Sequence, residues 1–274
     1  MKIVRSGRLQ PALHLACLFV AVPAFAQAPV INAKVEMRTA ARPVADEMQT
    51  AANQGTAVWV GYRVPMVRRS TPYLHYMGTR GNCRLEPPTE LVVLARFEAK
   101  TLVELRPVSV DCDVDAAGMP LVWLSNVNPD QSVAWLASLI ADASAGRRHA
   151  RVVDPALTAI ALHAAPAAGK TLIALARLSD SSRLRGQALM FLGQRAGEQA
   201  GPVIVDAIAR DPELEVKRRA VMALSQLPRD EGVPLLITVA RTHASTEVRR
   251  QAMQSLGQTN DPRALDFFEQ VLLK

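Results

Sequence analysis

The sequence predicts an α+β protein: a small antiparallel β domain followed by a C-terminal α-helical solenoid. Three observations carry this. Ser179 to Lys274 divides without a gap into three units of thirty-two residues, 179–210, 211–242 and 243–274. Leu184, Val216 and Val248 share one column; so do Ala188, Ala220 and Ala252, and Leu192, Leu224 and Leu256. A fixed period of this size means stacked units. Within each unit, apolar residues recur at helical spacing, as in Val216, Ala220 and Leu224, and no unit can bury such a stripe alone. Residues 53–127, by contrast, hold β-branched and aromatic runs broken by Pro and Gly, the pattern of short strands.

Residues 1–26 predict a signal peptide. Lys2, Arg5 and Arg8 make a positive start, and Ala12 to Val22 is apolar but too short to span a membrane. Ala24-Phe25-Ala26 is a small-residue cleavage site before Gln27. A lipid anchor on Cys17 is disfavoured, because His14 stands where an apolar residue is needed. The segment predicts a periplasmic or secreted bacterial protein, with no membrane insertion after cleavage. Removing its three basic residues from 32 leaves 29 against 25 acidic ones, a net charge of +4. With aromatics at 4% there is neither the charge nor the stacking surface for nucleic acid.

Cleavage also leaves two cysteines, Cys83 and Cys112. In an exported chain these predict one disulfide, the alternative being two buried thiols. Their spacing, with a lone His75, does not suit a metal.

Residues 27–52 are Ala-rich with scattered charges and predict a poorly ordered leader, or a short helix over Val44 to Ala52. Thr56 to Val64 reads as a strand ended by Pro65. A long basic loop follows to Pro88. Leu91 to Glu98 and Thr101 to Cys112 predict a hairpin turning at Ala99-Lys100. The apolar phase of its second strand changes at Arg106-Pro107, which predicts a bulge there. Leu121 to Leu124 is a further short strand. Residues 128–146 predict a connecting helix and linker, opened by Asn128 as cap and Pro129 in the first turn.

The array begins with a degenerate unit, 147–178, whose helix starts at Asp154-Pro155. Asp211-Pro212 is the same start signal, and Gly193 and Gly257 fall where a first helix commonly ends. Second helices carry the pairs Leu172/Ala176, Ile204/Ile208, Leu236/Ala240 and Phe268/Leu272. Asp211 to Ser225 follows D-P-x-x-x-V-(R/K)-x-x-A-x-x-(A/x)-L-(G/S), and the flanking units follow it less fully. This pattern resembles the HEAT-like repeats of the phycobilin lyase type. The layout as a whole resembles bacterial exported HEAT-repeat proteins with an unassigned N-terminal β-rich region. The resemblance implies a scaffold that binds proteins, with bilin attachment as an occasional use. It also implies that the second helices line the inner face.

Candidate chemistry is sparse. Five histidines are scattered, at His14, His75, His149, His163 and His243, and none sits in a motif. There is no Gly-rich phosphate loop, metal-binding helix motif or nucleophile elbow. Asp111 and Asp113 flank Cys112 and read as a solvated strand face. The basic column Arg185, Lys217, Arg249 reads as a structural ladder between units in preference to a ligand stripe. The expectation is a non-catalytic scaffold without cofactor or metal, binding a protein or peptide through Asp206, Thr238, Arg241 and Gln270 on the second helices. The alternatives are an accessory or lyase-like enzyme factor, or ligand binding by the β domain around Trp59, Tyr62 and Tyr76.

Overall fold

Five strands form one sheet in the order β2-β7-β3-β4-β5. They are β2 (Lys34–Thr39), β3 (Ala57–Pro65), β4 (Glu90–Glu98), β5 (Thr101–Ser109) and β7 (Pro120–Ser125). A separate two-stranded ladder pairs β1 (Val30–Ile31) with β6 (Val114–Asp115). This is a computed structural model, and it describes residues 30–55, 57–67, 89–110, 114–141, 149–195 and 199–273. The expected signal peptide 1–26, the expected pairing of Cys83 with Cys112, and the stretch bearing His75 and Tyr76 lie outside the described residues.

The β region precedes the helical array as expected, but its sheet is mixed. β3, β4 and β5 are antiparallel, whereas β7 runs parallel to both β2 and β3. The poorly ordered leader is corrected at β2, which forms a sheet edge, whereas the short helix expected over Val44 to Ala52 is present as α1 (Val44–Ala52) and packs on β3. Val44, Met48, Ala51 and Ala52 supply its buried stripe.

Both faces of the sheet are covered at β3, β4 and β7, which explains their unbroken apolar runs, while edge strand β2 stays exposed. Val58, Val60, Tyr62, Leu91, Val93 and Leu105 join the main core with the helices. Trp59, Val92, Leu94, Val108, Leu121 and Trp123 join a second cluster that includes Val114 of β6. The change of phase in β5 is therefore no bulge. Leu105 belongs to one face and Val108 to the other. The irregularity falls earlier, where Arg96 pairs with Glu104 and Phe97 with Leu102. Pro107 stays in register with Val93, tolerated because β5 is an edge strand. Ala99 and Lys100 both have positive φ, 45° and 65°, the conformation of a two-residue hairpin turn with matching twist. Gly61 leaves room for an indole: a Cβ there would lie 2.9 Å from the Trp123 ring.

Helix α2 (Pro129–Ala141) starts where Asn128 Oδ1 accepts the amides of Asp130 and Gln131. A π-helical turn (His149–Val153) leads into α3 (Asp154–Leu162). Pro155 through Leu162 are all buried, because α3 lies among α2, the sheet and the array. A helix apolar on nearly every side is the expected filling for such a place, and its buried Thr158 donates its hydroxyl to the Asp154 carbonyl at 2.9 Å. The array continues with α4 (Pro166–Leu178), α5 (Ser182–Arg195), α6 (Ala200–Arg210), α7 (Leu214–Leu224), α8 (Arg229–Thr242), α9 (Thr246–Gly257) and α10 (Pro262–Leu272). First helices α5, α7 and α9 stack on one another, and second helices α4, α6, α8 and α10 form the other layer.

Three local readings change. Gly193 does not end its helix; it lies within α5, where a Cβ would come 2.4 Å from the Ala223 carbonyl oxygen of α7. Asp211 is not the cap of α7. That position is Glu213, whose amide Asp211 Oδ1 accepts at 2.9 Å. In α10 the buried stripe is Ala264 and Phe267, while Leu272 is 84% exposed. Among the described residues this stripe packs toward α8.

Candidate functional site

The second helices expose their polar side along one layer of the array. Between the ends of α4 and α6 this layer opens into a groove of about 490 Å³, lined by Arg177, Leu178, Asp180, Asp206 and Arg210 among others. Val203, Ala207, Arg185 and Asp211 also line it. Leu178 stands 79% exposed at the rim. Asp206 Oδ1 pairs with Arg210 Nη1 at 3.1 Å, one helical turn away on α6. This exposed pair contributes little to stability and leaves both groups open to exchange partners.

The four expected contact residues are only partly brought together. Asp206 lies in the groove. Thr238 is exposed on α8 and donates its hydroxyl to the Pro234 carbonyl at 2.9 Å. Arg241 and Gln270 meet across α8 and α10, Nη2 to Oε1 at 2.5 Å, and the Arg241 guanidinium lies 5.3 Å from the centre of the Phe267 ring. Arg241 thus also helps to hold the last helix.

The basic column is bound internally. Arg185 donates Nε to Asp211 Oδ2 at 2.7 Å and Nη2 to Oδ1 at 3.0 Å. Its Nη1 reaches the carbonyls of Ser179 and Asp180. Arg249 repeats this on the carbonyls of His243 and Ala244, and Lys217 donates to Ala209 O at 3.2 Å. Each cation sits against carbonyls that end a preceding helix or form the turn after it. Cations are favourable there. Burial raises the Asp211 carboxyl, but Arg185, the Glu213 amide and Lys217 outweigh it and hold the group below its usual range. His243 serves its turn. Its Nδ1 accepts the Ser245 amide, which leaves Nε2–H to donate to Ile208 O at 3.2 Å.

A second polar cluster is buried where sheet, α2 and array meet. The Tyr62 hydroxyl lies 2.6 Å from Ser132 Oγ, which lies 3.0 Å from His163 Nε2. All three side chains are fully buried. The backbone is stitched at the same place: Val67 N donates to Leu162 O and Ala164 N to Pro65 O, both at 2.9 Å. Arg195 Nη1 donates to the carbonyls of Ala161 and His163 at 2.7 Å. His163 Nδ1 has no hydrogen-bond partner among the described residues. Burial, then the charge of Arg195, push the imidazole down to about 4, with Asp130 opposing. Burial pushes the Tyr62 phenol up, against the bond from Ser132. Sequence reasoning missed this cluster, because its members are about thirty and seventy residues apart. The one available signal was a histidine directly after the apolar stretch Ala159 to Leu162.

Trp59 and Tyr62 are buried, so neither can contact a ligand as the β-domain alternative required. Tyr76 lies outside the described residues. Among the described residues no group of three or more His, Cys, Asp or Glu could hold a metal ion, and no helix is long and apolar enough to cross a membrane.

Residues 201–274 match the family of HEAT repeats, which makes the helices from α6 to α10 a HEAT array. No curated protein matches the chain. Among solved structures it is similar to human deoxyhypusine hydroxylase in complex with glycerol, at 23% identity and a TM-score of 0.38. That similarity covers 46% of this chain and 43% of the hydroxylase, so the chain spans less than half the length of that relative. It is also similar to the complex of CpcE and CpcF of phycocyanin lyase from a Nostoc species, at 18% identity and a TM-score of 0.39, covering 52% of this chain and 89% of that one.

Proposed function

We propose that this protein is an exported, non-catalytic scaffold whose HEAT array takes a protein or peptide segment along the exposed side of its second helices. One observation carries the reading: the second-helix layer opens into a groove of about 490 Å³ that holds an exposed ion pair. The basic column Arg185, Lys217 and Arg249 is committed to carbonyls and to Asp211 and is not available to a ligand. Among the described residues Asp206 and Arg210 are held by each other, beside an open groove with an exposed leucine at its rim. Export is supported by the positive, apolar and A-x-A segments of residues 1–26.

A photoactivatable crosslinker at Asp206 or Thr238, compared with one at Arg218 on the first-helix side, tests the face. One discrete adduct from the first two positions and none from Arg218 supports the reading. Equal adducts from all three overturn it. The lyase-like alternative draws on the same groove, whose volume admits a small molecule. A visible absorption band that stays with the purified protein would decide for that alternative.

A further inference from the structure

β2 ends the five-stranded sheet, and among the described residues its outer edge meets no other strand. Its inner edge pairs with β7 in unbroken register from Lys34↔Pro120 to Thr39↔Ser125. The Ala40 amide donates to Ser125 O at 2.9 Å, and Ser125 Oγ donates to Arg38 O at 3.2 Å. Even-numbered residues therefore turn their backbone groups toward β7. Backbone direction alternates along a strand, so Val35, Met37 and Thr39 aim N–H and C=O outward. An open row of such groups is a template for another strand. β2 has no proline and no bulge to blunt it. Its odd-numbered side chains, which share a face with Leu121 and Trp123, are apolar at Val35 and Met37 and 45% and 50% exposed.

The sequence of β2 is complementary to itself. We propose that β2 pairs antiparallel with β2 of a second copy of this chain, with Met37 on the two-fold axis. In this register Met37 opposes Met37, Val35 opposes Thr39, and Glu36 opposes Arg38 twice. The outward groups of 35, 37 and 39 then meet one another, as an antiparallel ladder requires. Centring the pair on Glu36 would set Glu36 against Glu36 and Lys34 against Arg38. Centring it on Val35 would bring Asn32, whose φ is 54°, into the ladder and shorten it. A slip by a single residue would set outward groups against inward ones. Glu36 and Arg38 already form an ion pair within the strand at 2.6 Å, and the Glu36 side chain is 59% exposed. Such exposed charges select register more than they add affinity.

Light scattering on the eluted, purified protein tests this. The wild type should elute at twice the chain mass. Met37→Pro should elute at the chain mass with unchanged circular dichroism, because the Met37 amide points away from β7. Glu36→Arg alone should weaken the dimer, and Glu36→Arg with Arg38→Glu should restore it. Opposed hydrogen-bonded residues have Cα atoms about 5.5 Å apart, within disulfide range. Mild oxidation should therefore couple Met37→Cys to its counterpart. Val35→Cys should stay uncoupled, since four residues of strand separate it from its own copy by roughly 14 Å. A wild type at the chain mass at high micromolar concentration overturns the proposal. So does a dimer indifferent to both Met37→Pro and Glu36→Arg, and coupling at Val35→Cys in place of Met37→Cys refutes the register.

Discussion

Arg185 holds Asp211 through two side-by-side hydrogen bonds, 2.7 and 3.0 Å, across the boundary between two units of the array. The same carboxylate accepts the Glu213 amide, so a single acidic group ties α5 to the start of α7. The Arg185 and Asp211 side chains are only 11% and 6% exposed. Removing one partner leaves a buried charge behind, which typically costs about 3–5 kcal/mol. Arg185→Met should therefore destabilise the array by about 3 kcal/mol in a urea melt. Arg185→Met with Asp211→Ala should recover part of that loss. Because the folded Asp211 pKa is depressed, the pair contributes fully above the ordinary carboxylate range. Its contribution should fade as pH drops through the folded value. Additive losses in the double variant would show that the two residues do not act as a pair.

His163 should make stability depend on pH over a different window. Its folded value is about 4, against an ordinary 6.5. Between these values the unfolded chain takes up a proton that the folded chain refuses, so stability falls as pH drops from about 6.5 to about 4. Below that window both states are protonated and this contribution levels off. The shift corresponds to roughly 3 kcal/mol at most. His163→Phe should flatten the slope in this window, whatever its effect on stability at pH 8. Asp130 and Arg195 supply the facing charges, and a slope unchanged in the variant would assign the dependence to other groups.

The repeat core gives a third expectation. Leu224 is fully buried in the central unit, and Leu224→Ala should cost about 2–5 kcal/mol. Gly193→Ala should also destabilise, because its new Cβ would press on the Ala223 carbonyl, which cannot swing aside as a side chain would. Denaturant midpoints for both variants within error of wild type would remove α5–α7 packing as the basis of the stack.

Cys83 and Cys112 are expected to be bridged in the exported protein, whose mass should begin at Gln27. On the chain-entropy model, closing a loop of this size contributes roughly 3–4 kcal/mol. Thiol labelling under denaturing, non-reducing conditions should find no free cysteine. Two labelled thiols, or a chain retaining residues 1–26, would count against export as proposed.

What the sequence made legible follows from what repeats itself. The columns at Leu192, Leu224 and Leu256 place the stacked helices because every unit solves the same packing problem. The local cap at Asn128 was readable for the same kind of reason, since its partners lie two and three residues away. β7 was not placed, because its neighbours β2 and β3 are set by contacts far along the chain, and a short apolar run carries no mark of parallel pairing. The phase change near Pro107 was visible but ambiguous: a bulge and a sheet buried on both faces write the same pattern. Arg241 was readable as exposed, yet its second role against Gln270 and Phe267 depends on how α10 tilts at the end of the array.

That second role decides how the binding face should be tested. Arg241→Glu would break the bond to Gln270 and the contact with Phe267, so any loss of binding could reflect a loosened α10. Asp206 and Thr238 are better probes. Among the described residues Asp206 pairs with exposed Arg210, and the Thr238 hydroxyl bonds within its own helix. Binding energy in protein interfaces concentrates in a few residues near the centre of contact, so Asp206→Lys with Thr238→Glu should weaken capture of a crosslinked partner by about tenfold or more. The helical circular dichroism and melting temperature should stay near wild type. Arg218→Glu on α7 is the control, since Arg218 is exposed on the first-helix side and pairs with Glu215 on its own helix. Equal weakening by Arg218→Glu would mean that charge alone attracts the partner. Undiminished capture by the Asp206 and Thr238 variant would remove the second helices as the binding face.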